Sequence, residues 1–131
     1  MKSHPLAMTT YKHILLVSYD ERRLIERRML LEQKGYKVSS ALGFKEGLAN
    51  CSDGSARSID LFILGHSIPI ADKERLIAAF RANATAPILS LWKHDEQIDC
   101  SVDYLAFSDS PDKLLGNVAT ILARSASADG D

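Results

Sequence analysis

Continuous apolar runs alternate with helix-spaced apolar residues along the chain. Residues 13–17 (HILLV) form a short apolar run typical of a strand buried on both faces, and read as the first, central strand. Asp20 can cap a helix with Glu21 in its first turn, and Gly35 stops that helix before Tyr36 opens an extended run. Within the helix, Leu24, Ile25, Met29, Leu30 and Leu31 cover more of the circumference than one sheet face needs, interrupted by Arg22, Arg23, Arg27 and Arg28. Either the arginines are solvated with their stems over the apolar patch, or part of this face, Leu30 included, meets a partner. Residues 36–41 (YKVSSA) have the mixed character of an edge strand, and a short helix over 44–51 follows.

Residues 52–58 are a loop by composition, and 59–64 (IDLFIL) supply a second central strand ending at Gly65. Pro69 rigidifies the next connection, and a helix over 72–82 carries Leu76, Ile77, Ala79 and Phe80. Residues 87–91 (PILSL) read as a fourth strand, 93–101 as a reduced helix or irregular turn, and 103–107 (DYLAF) as a fifth strand. Asp109 or Ser110 caps a last helix, with Pro111 in its first turn, that Leu114, Leu115, Val118, Ile121 and Leu122 carry to about Arg124. The expected organisation is a flexible extension over residues 1–11, one domain over 12–124, and a small, polar, disordered tail over 125–131. Strict alternation of strand and helix predicts an α/β fold, a parallel sheet with helices on both faces.

Length and charge narrow the partners. A chain of 131 residues supports one core of this kind and no second domain. Its 16 Lys and Arg against 17 Asp and Glu give no basic surplus for nucleic acid or an anionic membrane. No apolar run approaches the roughly 20 residues that span a bilayer, and the first residues lack a secretory core, so a soluble cytoplasmic protein is expected. Cys51 and Cys100 lie far apart, and no His or Cys cluster has metal-ligand spacing, so neither metal nor cofactor is expected.

Several strings together resemble the receiver domain of response regulators: ILLV at 14–17, GYKV at 35–38, ALGFKEGL at 41–48, DLFILG at 60–65 with Ile68 and Pro69, PILSL at 87–91 and DYL at 103–105. The resemblance covers residues 13–124 and implies a doubly wound, flavodoxin-like five-stranded sheet of order 2-1-3-4-5, with its site beyond the carboxyl ends of the central strands. Family chemistry needs an aspartate to take the phosphoryl group and neighbouring acids to hold Mg²⁺. By this resemblance the acceptor falls at Gly65, the acidic pair at Ser18 and Tyr19, the switch hydroxyl at Trp92 and the lysine at Phe107. Losing all of them removes acceptor, metal ligands and charge clamp together, so no aspartyl phosphorylation is expected. The string GHSIP at 65–69 also resembles atypical receivers that lack the acceptor and keep the Ile-Pro turn.

Three loops should converge where the acidic pocket would lie, bringing Asp20, His66, Ser67 and Lys93 together, with His94 nearby. His66, Ser67 and Lys93 with loop amides can hold a small anion or an acidic side chain. Alternatively, His66 and Ser67 bond the loop backbone while Trp92 fills the space left at Gly65. Ser67 as a nucleophile with His66 or His94 as base is disfavoured, because neighbouring residues at a strand end point apart; no enzyme is expected. Tyr104 is either a contact residue on the surface around the fifth strand or half-buried filler. These expectations describe a stand-alone atypical receiver in phosphorelay-type signalling, acting through phosphorylation-independent association with a protein partner or a second copy of itself. The alternative is a small-ligand or anion sensor at the vacated pocket.

Overall fold

The computed structural model describes residues 11–92, 102–107 and 110–130. Five strands, β1 (His13–Ser18), β2 (Lys37–Leu42), β3 (Leu61–Leu64), β4 (Ile88–Trp92) and β5 (Tyr104–Phe107), form one parallel sheet in the order β2-β1-β3-β4-β5. The helices are α1 (Glu21–Gln33), α2 (Gly43–Ser52), α3 (Ile70–Asn83) and α4 (Pro111–Gly130), with a 3-10 turn over Gly54–Ser58. The doubly wound topology expected from the sequence is the one observed.

Side chains of a buried strand alternate between two cores, which is why β1 reads as one unbroken apolar run. Ile14 and Leu16 of β1 pack with Leu24 and Leu31 of α1 and Val118 and Ile121 of α4. Leu15 and Val17 point the other way, towards Leu76, Ile77 and Phe80 of α3, where the Phe62 and Phe80 rings lie 4.6 Å apart. Cys51 is fully buried on that side, and burial pushes its thiol up to about 12, so the thiolate is suppressed.

The ends of α1 follow their sequence signals. Asp20 Oδ1 accepts from the Arg23 amide at 3.3 Å, and Gly35, at φ +92°, takes the left-handed position that closes the helix. The amides of Gly35 and Tyr36 return to the carbonyls of Glu32 and Leu31, a paired closure that satisfies the last turn. Elsewhere the boundaries moved. Residues 52–58 contain the 3-10 turn, stabilised by Asp53 accepting from the Ser55 amide, and β3 begins only at Leu61. α3 begins at Ile70 because the Lys73 amide closes its first turn on the Pro69 carbonyl at 2.9 Å.

At the other end, Ser110 caps α4, its hydroxyl accepting from the Lys113 amide at 3.4 Å. The helix runs to Gly130 rather than stopping near Arg124, because Ser and Ala between Arg124 and Asp129 include no breaker before Gly130. Lys93, His94 and the rest of 93–101, Asp109, and the first ten residues lie outside the described residues.

Candidate functional site

The carboxyl ends of β1 and β3 adjoin in the middle of the sheet, with the chain reversing direction of build on either side, so their loops meet at a switch point. Ser18, the last residue of β1, is fully buried. Its Oγ accepts from the Asp20 amide at 3.0 Å and stands 3.1 Å from the Asp20 carbonyl, tying the loop to itself. The Tyr19 amide donates to Ser67 Oγ at 3.2 Å, which joins the first loop to the loop after β3. The Tyr19 hydroxyl donates to Asp72 Oδ2 at 2.8 Å, and burial, followed by that carboxylate, holds the phenol well above its ordinary range. Asp20 is spent on the cap of α1, as expected. Asp72, on the first turn of α3, is a second carboxylate here that the sequence reading passed over.

Gly65 follows Ile63 by two residues, so a side chain at 65 would point to the α1 layer. A Cβ built there would lie 3.2 Å from the Val17 carbonyl, 3.3 Å from Arg27 Nη1 and 3.3 Å from Ser18 Oγ. The space beside Gly65 is therefore held by a guanidinium and not by Trp92, which is half-buried at the end of β4 opposite Phe107. Arg27 is only 6% exposed, which corrects the expectation of a solvated arginine. The reason is spacing: Leu24, Arg27 and Leu31 are the buried residues of α1, lying three and four positions apart on one stripe.

The guanidinium is unevenly satisfied. Nη2 lies 3.3 Å from His66 Nδ1, and because a guanidinium only donates, that contact makes Nδ1 the acceptor and leaves the ring proton on Nε2. Nη1 is buried with no hydrogen-bond partner. Burial first, and then the neighbouring Arg23 charge, push Arg27 below its ordinary value, while Asp20 and Glu26 act in the opposite sense.

A second buried cation lies on the other face of the sheet. Lys73 is fully buried and donates from Nζ to Ser90 Oγ at 2.9 Å and to the Leu91 carbonyl at 3.0 Å. Like Arg27, it lies on an apolar stripe, with Leu76, Ile77 and Phe80 three, four and seven positions on. A charged residue at a stripe position was the signal available for both, and composition alone hid it.

The site residues proposed from sequence thus separate. Ser18, Tyr19, Asp20, Gly65, His66 and Ser67 converge, together with Arg27, whereas Lys93 lies outside the described residues. Leu30 is half-buried and lines a cleft between α1 and α4, so the exposed apolar residues of α1 are Ile25 and Met29. Tyr104 is half-buried against the α1 and α4 core, and its neighbour Leu105 is exposed.

No family model and no curated protein matches the chain. Solved structures do. The N-terminal domain of a response regulator/sensory box/GGDEF three-domain protein from Carboxydothermus hydrogenoformans aligns with a TM-score of 0.72 at 21% identity, over 92% of this chain and 100% of that one. The fold is that of response regulator receiver domains. The receiver domain of the hybrid histidine kinase CckA aligns with a TM-score of 0.68 at 24% identity, over 84% of this chain and 98% of that one. A CheY-like receiver protein from Methanospirillum hungatei gives 0.69 at 19% identity, over 91% and 99%.

The receiver fold implies a divalent metal at this end of the sheet, and the residues present do not suit one. A hard divalent cation requires oxygen ligands, chiefly carboxylates. Here the Ser18 hydroxyl is engaged with the loop backbone, the Tyr19 hydroxyl with Asp72, and a guanidinium already occupies the space beside Gly65. No group of three or more His, Cys, Asp or Glu residues is arranged for a metal among the described residues.

Proposed function

We propose that this chain is an atypical receiver of phosphorelay-type signal transduction in the cytoplasm, which takes no phosphoryl group and acts by associating with a protein partner or a second copy of itself. The observation that carries this reading is at position 65, to which the sequence resemblance assigns the acceptor: the residue is a glycine, and the Arg27 guanidinium stands against it, 3.3 Å from where a Cβ would be. A receiver of the usual kind collects negative charge there and neutralises it with a metal. This chain has a fixed cation and no acceptor, so no phosphorylation event drives its conformation.

Signalling by association draws support from α1, where Ile25 and Met29 are 52% and 55% exposed on the outward face. A catalytic role has less support. The Ser67 hydroxyl is engaged with the Tyr19 amide and His66 Nδ1 faces Arg27, so the two are not arranged as nucleophile and base. An anion held at the vacated pocket by His66 and Ser67 is disfavoured by the same two contacts.

The test is incubation with acetyl phosphate and Mg²⁺ followed by intact mass, with a conventional receiver as positive control. No added phosphoryl mass is expected, together with an association state that the donor leaves unchanged in sedimentation. A stoichiometric, hydroxylamine-sensitive adduct would overturn the reading, because it would mean that a carboxylate such as Asp20 or Asp72 accepts the group.

A further inference from the structure

Leu24, Arg27 and Leu31 take the inward side of α1, and on its opposite side Arg22, Ile25, Met29 and Glu32 recur three, four and three positions apart. That is the spacing of a coiled-coil seam, here apolar in the middle and charged at both ends. Ile25 and Met29 are exposed, and the side chains of Arg22 and Glu32 are exposed with them. The seam is self-complementary in one direction only. In an antiparallel two-fold pair, Ile25 of one copy against Met29 of the other brings Arg22 of each to Glu32 of the other. A parallel pair would stack Arg22 on Arg22 and Glu32 on Glu32. The helix dipole selects the same direction. Arg22 in the first turn and Glu32 in the last each stand at the end of α1 that disfavours their charge, and an antiparallel neighbour brings each to the opposite end of a second dipole. Arg22 and Glu32 already pair with Glu26 and Arg28 at 3.3 and 3.1 Å on the flanks of the seam. Exposed pairs of this kind hold little energy, so both side chains extend to a second helix at small cost.

We infer that a second copy of this chain docks on the outward face of α1, antiparallel and two-fold symmetric, with Ile25 and Met29 at the centre and Arg22 against Glu32 at each end. This rests on the association reading above and names its partner and its surface. Charge chooses the occupant: the seam carries its cation at the amino end and its anion at the carboxyl end, and an antiparallel copy presents the reverse order. The contact is weak. With 13 residues, α1 is about 20 Å long, and its outward side offers less than the roughly 1,200 Å² that a stable interface buries.

Sedimentation equilibrium of the full chain at concentrations up to about 1 mM tests this, and a monomer–dimer dissociation constant of roughly 100 µM is expected. Met29→Glu should weaken association by about tenfold or more, and should leave the thermal midpoint of dilute protein unchanged because the side chain is exposed. Arg22→Glu and Glu32→Arg should each associate poorly alone, since each sets like charges against one another at both ends of the seam. Their equimolar mixture should associate as tightly as the parent, because every reversed charge then faces its opposite. Single variants that associate like the parent would overturn the antiparallel seam, as a parallel pair is indifferent to either reversal. A chain that is monomeric at about 1 mM, or a dimer that Met29→Glu leaves intact, would overturn the assignment too. None of these results touches the broader reading, which falls on a phosphoryl adduct.

Discussion

Arg27 and Lys73 are both cations buried at the carboxyl end of the sheet, yet they are held differently. Lys73 donates to a hydroxyl and a carbonyl on β4, so the charge is met by oriented dipoles. Arg27 meets a histidine nitrogen on one side and nothing on the other. A third titratable residue, His13, sits at the start of β1 with Nε2 at 2.7 Å from Ser39 Oγ. Burial, and next the Lys37 charge, lower its pKa below the ordinary 6.5, against a smaller opposing effect of Asp60. The folded chain therefore holds this proton less tightly than the unfolded chain does. His13 contributes its full stability above about pH 6.5 and loses it as the pH falls from there through the lower folded value. Thermal midpoints measured from about pH 8 to pH 5 should fall on acidification, and His13→Asn should flatten that slope. Parallel curves for the two proteins would show that His13 contributes nothing to it.

At the scale of elements, α1 is a helix whose inward stripe is apolar except at one position. Replacing a buried, partly unsatisfied cation by an apolar side chain of similar length is often neutral or stabilising. Arg27→Met should accordingly leave the free energy of unfolding in urea unchanged or raise it by up to about 2 kcal/mol, while Arg27→Ala, which leaves a void, should lower it. A loss of similar size in both variants would make the guanidinium a structural strut, and the unsatisfied nitrogen would need another explanation. The same helix shows what the sequence disclosed. Its caps, its length and its place in the sheet order were legible, because Asp20, Gly35 and the apolar spacing act locally. The direction of Arg27 was not. An arginine beside three others looks solvated until its spacing from Leu24 and Leu31 is weighed against composition, and the void that admits it is made by Gly65, 38 positions away in the chain. Local signals place elements; the contents of a pocket depend on residues brought together only by the topology.

The whole molecule keeps a sheet order that delivers the loops after β1 and β3 to one place. If, on the reading proposed above, a missing acceptor at position 65 were the sole alteration, Gly65→Asp would restore phosphorylation. The surroundings argue otherwise. The new Cβ would stand 3.3 Å from Arg27 Nη1, so the carboxylate would meet a guanidinium before any metal and form a charge-assisted pair with it. Ser18 and Tyr19, one strand away, would supply hydroxyls already engaged with the Asp20 backbone and Asp72, and no acid to hold Mg²⁺. Gly65→Asp is therefore expected to gain no phosphoryl mass from acetyl phosphate and Mg²⁺. The carboxylate should instead supply the acceptor that Nη1 lacks, at the cost of the small shift in the Val17 carbonyl or Arg27 that a contact of this length requires. A stoichiometric adduct on Gly65→Asp would mean that Arg27 yields the pocket readily and that the scaffold remains competent. Its absence in this variant and in Gly65→Asp with Arg27→Met would place the loss in the acid pair as well. No single reversion at position 65 would then restore the acceptor chemistry.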